Sequence, residues 1–135
     1  MNASVYPDKI WRLFREPRRS GCFEPEQKAS RGRAQTPASH AVLQLELLVA
    51  EDGRIDDALF QALGCPYLIA TGAWLCAYVT GRRRDAMREL ESRMITEQLE
   101  LPAVKRYCAV MAVDALNQAL DVKPAIEPAD EPAAK

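Results

Sequence analysis

The sequence is poor in the residues on which most hydrolytic and redox catalysis depends. One histidine, His40, stands in 135 residues, and glycine is scarce at six. None of those glycines sits in a phosphate-cradling loop. There is also no nucleophile elbow and no paired carboxylates around an evident reaction centre. An excess of charge is missing too: 18 Lys and Arg face 19 Asp and Glu, for a formal net charge of −1. That balance argues against a dedicated nucleic-acid binder. No apolar run reaches the roughly 18 residues of a membrane span. Met1 to Lys9 lacks the apolar stretch of a secretory signal, so a cytoplasmic location with reduced thiols is expected. The four cysteines, Cys22, Cys65, Cys76 and Cys108, form no CxxC pair, which excludes a zinc knuckle and a thioredoxin motif.

What is present is an ordinary core-forming composition, 48% hydrophobic and 27% charged. A chain of this size buries roughly two-thirds of its unfolded surface. Charge is uneven along it. Residues 1–40 hold eight basic against four acidic residues, and the tail from Asp121 holds two against four. That tail has three prolines and only two large apolar residues, Val122 and Ile126. It cannot bury enough to offset its ordering entropy. The reading is therefore one domain over 1–121 and a disordered tail over 122–135.

Within the domain, Ile10, Leu13 and Phe14 give a short helix from Pro7 to about Glu16 one apolar face, and Pro17 stops it. Arg18 to Pro37 shows no period and reads as mostly loop, with room for a short edge strand. Leu43, Leu45, Leu47 and Val49 alternate with polar positions, which predicts a strand over 41–49. Asp52-Gly53 signals a hairpin, and a return strand runs from Arg54 to about Leu63. The adjacent acids Asp56 and Asp57 have poor strand propensity. Pro66 opens a helix that Gly81 ends. Short helices follow over 85–90 and 93–99, and a last helix over 103–120 carries Cys108, Met111, Ala112, Ala115, Leu116 and Ala119 at three- and four-residue steps. The fold class is α+β, a small antiparallel sheet of about three strands with helices packed on one side.

The thiols differ in setting. Cys65, between Gly64 and Pro66, stands at a strand-to-helix junction, where free helix N–H groups favour the thiolate that binds metal or attacks sulfur. Cys108 follows Lys105 and Arg106, whose charges act in the same direction. Both also read as small core residues. Cys76 lies eleven residues past Cys65, about 16 Å along a helix, so the two cannot share an ion; Cys76 reads as core. Cys22 falls in the loop. His40 reads as a plain polar residue or a ligand, and Arg82-Arg83-Arg84 as a solvated helix start or an anion patch.

The order of these features resembles the U-type iron–sulfur cluster assembly scaffolds, the family of IscU and the NifU N-terminal domain. The likeness spans about Tyr6 to Leu120. It rests on Tyr6-Pro-Asp-Lys-Ile and Glu16-Pro-Arg, on the hairpin Glu51-Asp-Gly-Arg-Ile-Asp-Asp-Ala, on Gly64-Cys65 with Ile69-Ala70, and above all on Leu99-Glu-Leu-Pro-Ala-Val-Lys105 followed by Cys108. The resemblance implies a carrier rather than an enzyme, one that binds iron or a [2Fe–2S] cluster and passes it on. It implies Cys65 and Cys108 as cluster or metal thiolates, a cysteine desulfurase as sulfur donor, and an Hsp70-type chaperone recognising Leu101, Pro102, Ala103, Val104 and Lys105. The family's other ligand positions fall on Ser39, Ala41 and Tyr107, and Pro66 and Tyr67 replace small residues beside the middle cysteine. Four protein ligands are usual for such a cluster, so His40 and Cys22 join Cys65 and Cys108 as the candidate set for iron or zinc. The alternatives are a degenerate scaffold that acts as a binding or regulatory module without a cluster, and a zinc-binding form.

Overall fold

The computed structural model describes residues 7–15, 19–37 and 40–121; the terminal tail, Pro17 and Ser39 lie outside them. Three antiparallel strands form one sheet in the order β1-β2-β3. The alternation in β2 (Ala41–Val49) does what its period predicts: Leu43, Leu45 and Leu47 are fully buried. Asp52 Oδ1 accepts a 3.0 Å hydrogen bond from Arg54 N in the hairpin, where Gly53 takes a φ of 93°. β3 (Ile55–Leu63) returns beside β2, with a register shift between Leu48 and Val49. The acidic pair fits the strand because Asp56 is exposed and Asp57 is ion-paired with Arg19.

The edge strand expected within the 18–37 segment is present and runs for seven residues. β1 (Ser30–Thr36) pairs along its length with β2, from Ser30 opposite Leu47 to Thr36 opposite Ala41. Its inward residues are Ser30, Gly32 and Ala34, so the alternation is one of size and burial rather than of hydropathy.

All five helices are accounted for on or around the apolar face. α2 (Pro66–Val79) lies on β3, and α1 (Asp8–Arg15) lies on α2. α5 (Arg106–Asp121) lies across β1 and β2, and α4 (Ser92–Leu99) packs on α5. α3 (Arg84–Met87) is a single turn. The last helix begins three residues later than its apolar period suggests, because Ala103–Lys105 form a 3₁₀ turn closed by Lys105 N to Pro102 O at 2.8 Å. Where α5 crosses β1 the backbones nearly touch. A Cβ on Gly32 would lie 1.9 Å from the carbonyl oxygen of Ala115. The carbonyl of Leu120, at the far end of α5, accepts from the guanidinium groups of Arg84 and Arg88.

The other face of the sheet is polar and strapped. Gly21 N bonds Phe60 O on the free edge of β3, and the chain then crosses to β1. Glu46, only 2% exposed, holds that crossing: it accepts from Phe23 N and from Arg31 Nε, both at 2.9 Å.

Candidate functional site

One end of the sheet collects the chemistry. β3 ends at Leu63, Gly64 follows, and Cys65 becomes the residue that caps α2, with extended φ and ψ of −77° and 167° and Pro66 in the first helical turn. The junction read from Gly64-Cys65-Pro66 is therefore present. Cys108, two residues into α5, is fully buried, and two residues just before it, Lys105 and Tyr107, reach Cys65. Two thiols separated by 43 residues thus stand at the starts of two helices that these side chains bring together.

Two further side chains complete the cluster. Lys105 Nζ lies 3.4 Å from Cys65 Sγ, and the Tyr107 hydroxyl lies 3.9 Å from it. The same ammonium sits 5.7 Å from the Tyr107 ring centre and 5.9 Å from that of Tyr67. Lys105 is thereby held between two aromatic rings and a sulfur, a geometry that suits a cation.

The surroundings split the two thiols. Burial opposes ionisation of Cys65, but the Leu68 backbone N–H, the Tyr107 hydroxyl, the Tyr67 backbone N–H and the Lys105 charge outweigh it and hold the thiol below its ordinary 9.0. These are N–H groups of a helix start together with a hydroxyl and a nearby cation. Cys108 goes the opposite way. Burial, then the charge and hydrogen bond of Cys65, push it up to about 12. Lys105 does favour the Cys108 thiolate, as sequence order suggests, but burial outweighs it. Burial likewise pushes Cys76 up to about 12, and Cys76 is core, as its place in α2 suggests.

The remaining candidate ligands stand apart. Cys22 is exposed in the segment that crosses the polar face, next to Gly21, which is bonded to Phe60 on β3. His40 is exposed, with a φ of 57°, just before β2 at the same end of the sheet as Cys65. Among the described residues, no group of three or more His, Cys, Asp or Glu is placed to hold a metal ion. No three of Cys65, Cys108, His40 and Cys22 are thus gathered around one point. Ala41 is buried, at 2% exposure, and offers no donor.

The Leu101–Lys105 segment divides. Leu101 is buried and Lys105 is engaged with Cys65, while Pro102, Ala103 and Val104 face solvent, Val104 at 76% exposure. Leu63, two residues before Cys65, is 67% exposed. Large apolar side chains are thus left in solvent two residues before Cys65 and one before Lys105. Sequence reasoning named both cysteines but missed Tyr107 and the Lys105–Cys65 contact; the only signal for either was proximity in sequence to Cys108.

A three-stranded antiparallel sheet backed by helices, with a thiolate-favouring cysteine and a buried partner thiol at its end, defines a small α+β thiol-bearing domain. The chain belongs to the NifU-like N-terminal domain family, whose model matches residues 5–127. It is 32% identical over 117 residues to the iron–sulfur cluster assembly scaffold protein IscU of Escherichia coli K12, covering 86% of this chain and 91% of that one. The protein of the same name from Haemophilus influenzae is 31% identical, with 86% and 93% covered. Among solved structures, the fold matches a protein assigned to iron–sulfur cluster assembly for the SUF system of Fervidobacterium islandicum. That match has a TM-score of 0.68, 16% identity, and coverage of 90% of this chain and 100% of that one. It also matches the N-terminal part of a NifU-like protein of Brucella abortus, with a TM-score of 0.52, 19% identity, and 80% and 74% covered. Among the described residues no helix is long and apolar enough to cross a membrane.

Proposed function

We propose that this chain works in iron–sulfur cluster assembly as a scaffold-type carrier rather than as an enzyme, with Cys65 and Cys108 as the working residues. The observation that carries the reading is the placing of these two thiols at the starts of α2 and α5, which Lys105 and Tyr107 join at Cys65, in a chain whose relatives are named for that role. Iron and sulfide are the cargo. Two thiolates supply half of the four ligands usual for a [2Fe–2S] cluster, so a bound iron or nascent cluster would be completed by sulfide or by a ligand from another chain. A cysteine desulfurase is the proposed sulfur donor. The exposed Pro102–Val104 edge is the proposed contact for an Hsp70-type chaperone. The working domain is proposed to span 1–121, which ends where α5 ends.

Anaerobic reconstitution of the whole chain with ferrous iron and sulfide tests the cargo. The expected result is bound iron with visible absorption, lost in Cys65→Ala and in Cys108→Ala. A colourless, iron-free wild-type chain overturns cargo holding.

A second reading is supported by the pairing of Cys65 with Lys105 and by the absence of a third donor among the described residues. In it the chain is a degenerate scaffold that docks on partners without holding a cluster. Metal analysis of purified protein separates this reading from cluster holding, and zinc from iron.

A further inference from the structure

We propose that Cys65 and Lys105 form a reversible covalent cross-link on oxidation: hydrogen peroxide converts the Cys65 thiol to a sulfenic acid, and the Lys105 amine condenses with it to close a sulfur–nitrogen bond. This modification site goes beyond the reading of Cys65 as a cargo ligand and does not rest on it, because no metal takes part.

Three observations carry it. First, Lys105 Nζ stands 3.4 Å from Cys65 Sγ, so nitrogen and sulfur are already in contact across 40 residues of chain. Second, the lysine is held there at both ends. Its backbone N–H bonds Pro102 O at 2.8 Å in the 3₁₀ turn, and its ammonium lies 5.7 Å from the Tyr107 ring centre and 5.9 Å from that of Tyr67. Two aromatic faces keep on the sulfur a cation whose four-carbon stem would otherwise sweep through solvent. Third, Cys65 is only half-buried, so a small oxidant reaches it, whereas Cys76 and Cys108 are fully buried. A sulfenic acid is captured reversibly by a neighbouring thiol or nitrogen. At Cys65 the nitrogen is the group in contact, with the Tyr107 hydroxyl further off at 3.9 Å.

The chemistry balances in two steps. The Cys65 thiolate attacks one oxygen of hydrogen peroxide. An S–O bond forms, the O–O bond breaks, and the departing hydroxide takes a proton from the Lys105 ammonium to leave as water. Sulfur gives up two electrons and peroxide accepts them. The neutral Lys105 amine then attacks Cys65 Sγ. The S–N bond forms, the S–O bond breaks, and the oxygen leaves as a second water with an amine proton, without further redox change. A dithiol reductant resets the pair: it attacks Sγ, the S–N bond breaks, the nitrogen regains its protons, and the two electrons come from the reductant, which ends as a disulfide. The link stops oxidation at its first, reversible stage, short of sulfinic acid, and ties the cap of α2 to the turn before α5.

The test uses the reduced, metal-free whole chain carrying Cys22→Ser, which removes the exposed thiol. Hydrogen peroxide is added until half of the Cys65 thiol is consumed, remaining thiols are blocked, and the chain is cut with trypsin without reductant. Cleavage after Arg54, Arg82, Arg93 and Arg106 leaves Cys65 in peptide 55–82 and Lys105 in peptide 94–106, which holds no cysteine, while Cys108 falls in a third peptide. A link between the first two is therefore not a disulfide. The expected product is 55–82 joined to 94–106, about 2 Da below the sum of the free peptides, with fragment ions placing the link at Cys65 and Lys105 and a dithiol releasing it. Lys105→Arg keeps the charge and should lose the link. Its Cys65 should instead carry about 16 Da as a sulfenic acid trapped by dimedone, and at higher peroxide about 32 Da as sulfinic acid, under conditions where the parent chain recovers its thiol on reduction. Oxidised Cys65 in the parent chain with peptide 94–106 unlinked, whether as sulfinic acid or in a disulfide with the Cys108 peptide, overturns the proposal. That mapping decides even should Lys105→Arg fail to fold. Because no iron is added, a chain that fails to hold iron and sulfide still gives the link, and the two results separate.

Discussion

Lys105 reaches back across the fold to Cys65, placing its ammonium 3.4 Å from the sulfur. The contact joins the turn before α5 to the cap of α2. It means that one charge acts on both thiols, in direct contact with Cys65 and outweighed by burial at Cys108.

Removing that charge has a measurable effect. Lys105→Ala should raise the Cys65 thiol from its lowered value and slow its alkylation at neutral pH several-fold, and Tyr107→Phe should act in the same direction at least as strongly. Iodoacetamide rates followed against pH at Cys65 check this. The wild-type rate should rise at lower pH than for a free cysteine at 9.0, because thiolate is the reacting form. An unchanged pH profile in Lys105→Ala would sink the assignment.

Cys76 and Cys108 predict an alkaline weakness. Both are pushed up to about 12 by burial, from an ordinary 9.0. Above pH 9.0 the unfolded chain releases these protons while the folded chain keeps them, so stability falls as pH rises from 9.0 towards 12. The slope is on the order of 1.4 kcal/mol per pH unit for each thiol. Urea midpoints compared between pH 8 and pH 11 should drop in wild type. They should drop less steeply in Cys76→Ala, whatever that variant's baseline stability.

Glu46 predicts what holds the strap. Glu46→Ala removes the acceptor for Phe23 N and Arg31 Nε and should cost about 1.5–3 kcal/mol, the range for hydrogen bonds to a charged group. Hydrogen exchange at the Phe23 amide should speed up. Exchange at the Leu45 amide in the middle of β2 should move only as far as the global stability does.

Gly32 predicts intolerance of even a methyl group. With Ala115 O at 1.9 Å from the added Cβ and Ala119 N at 2.7 Å, only backbone movement could relieve the clash. Gly32→Ala should therefore destabilise by about 3 kcal/mol, the upper part of the range for overpacking. Equilibrium urea unfolding checks it, and a loss below about 0.5 kcal/mol, the scale of an ordinary surface change, would contradict the close approach.

The same glycine explains what was hard to read. β2, β3 and α2 were legible because their buried positions carry Leu, Ile and Phe, whose period shows. β1 was not, because α5 lies so close that its inward positions must be Ser30, Gly32 and Ala34, and such residues leave no hydropathy signal. At the site, Cys65 was legible from its neighbours Gly64 and Pro66. Lys105 and Tyr107 were not, because their contacts cross about 40 residues of chain and depend on how α5 is set against the sheet. Cys22 looked available because it lies in a loop, but the loop is anchored to β3 and to Glu46 and does not bring it to the other thiols.

α5 begins beside Cys108 and rests on Gly32 further along. One missing side chain on an edge strand lets the helix settle close against the sheet. A single hydrogen atom in place of a methyl thus sets the depth of the helix whose first turn carries Cys108.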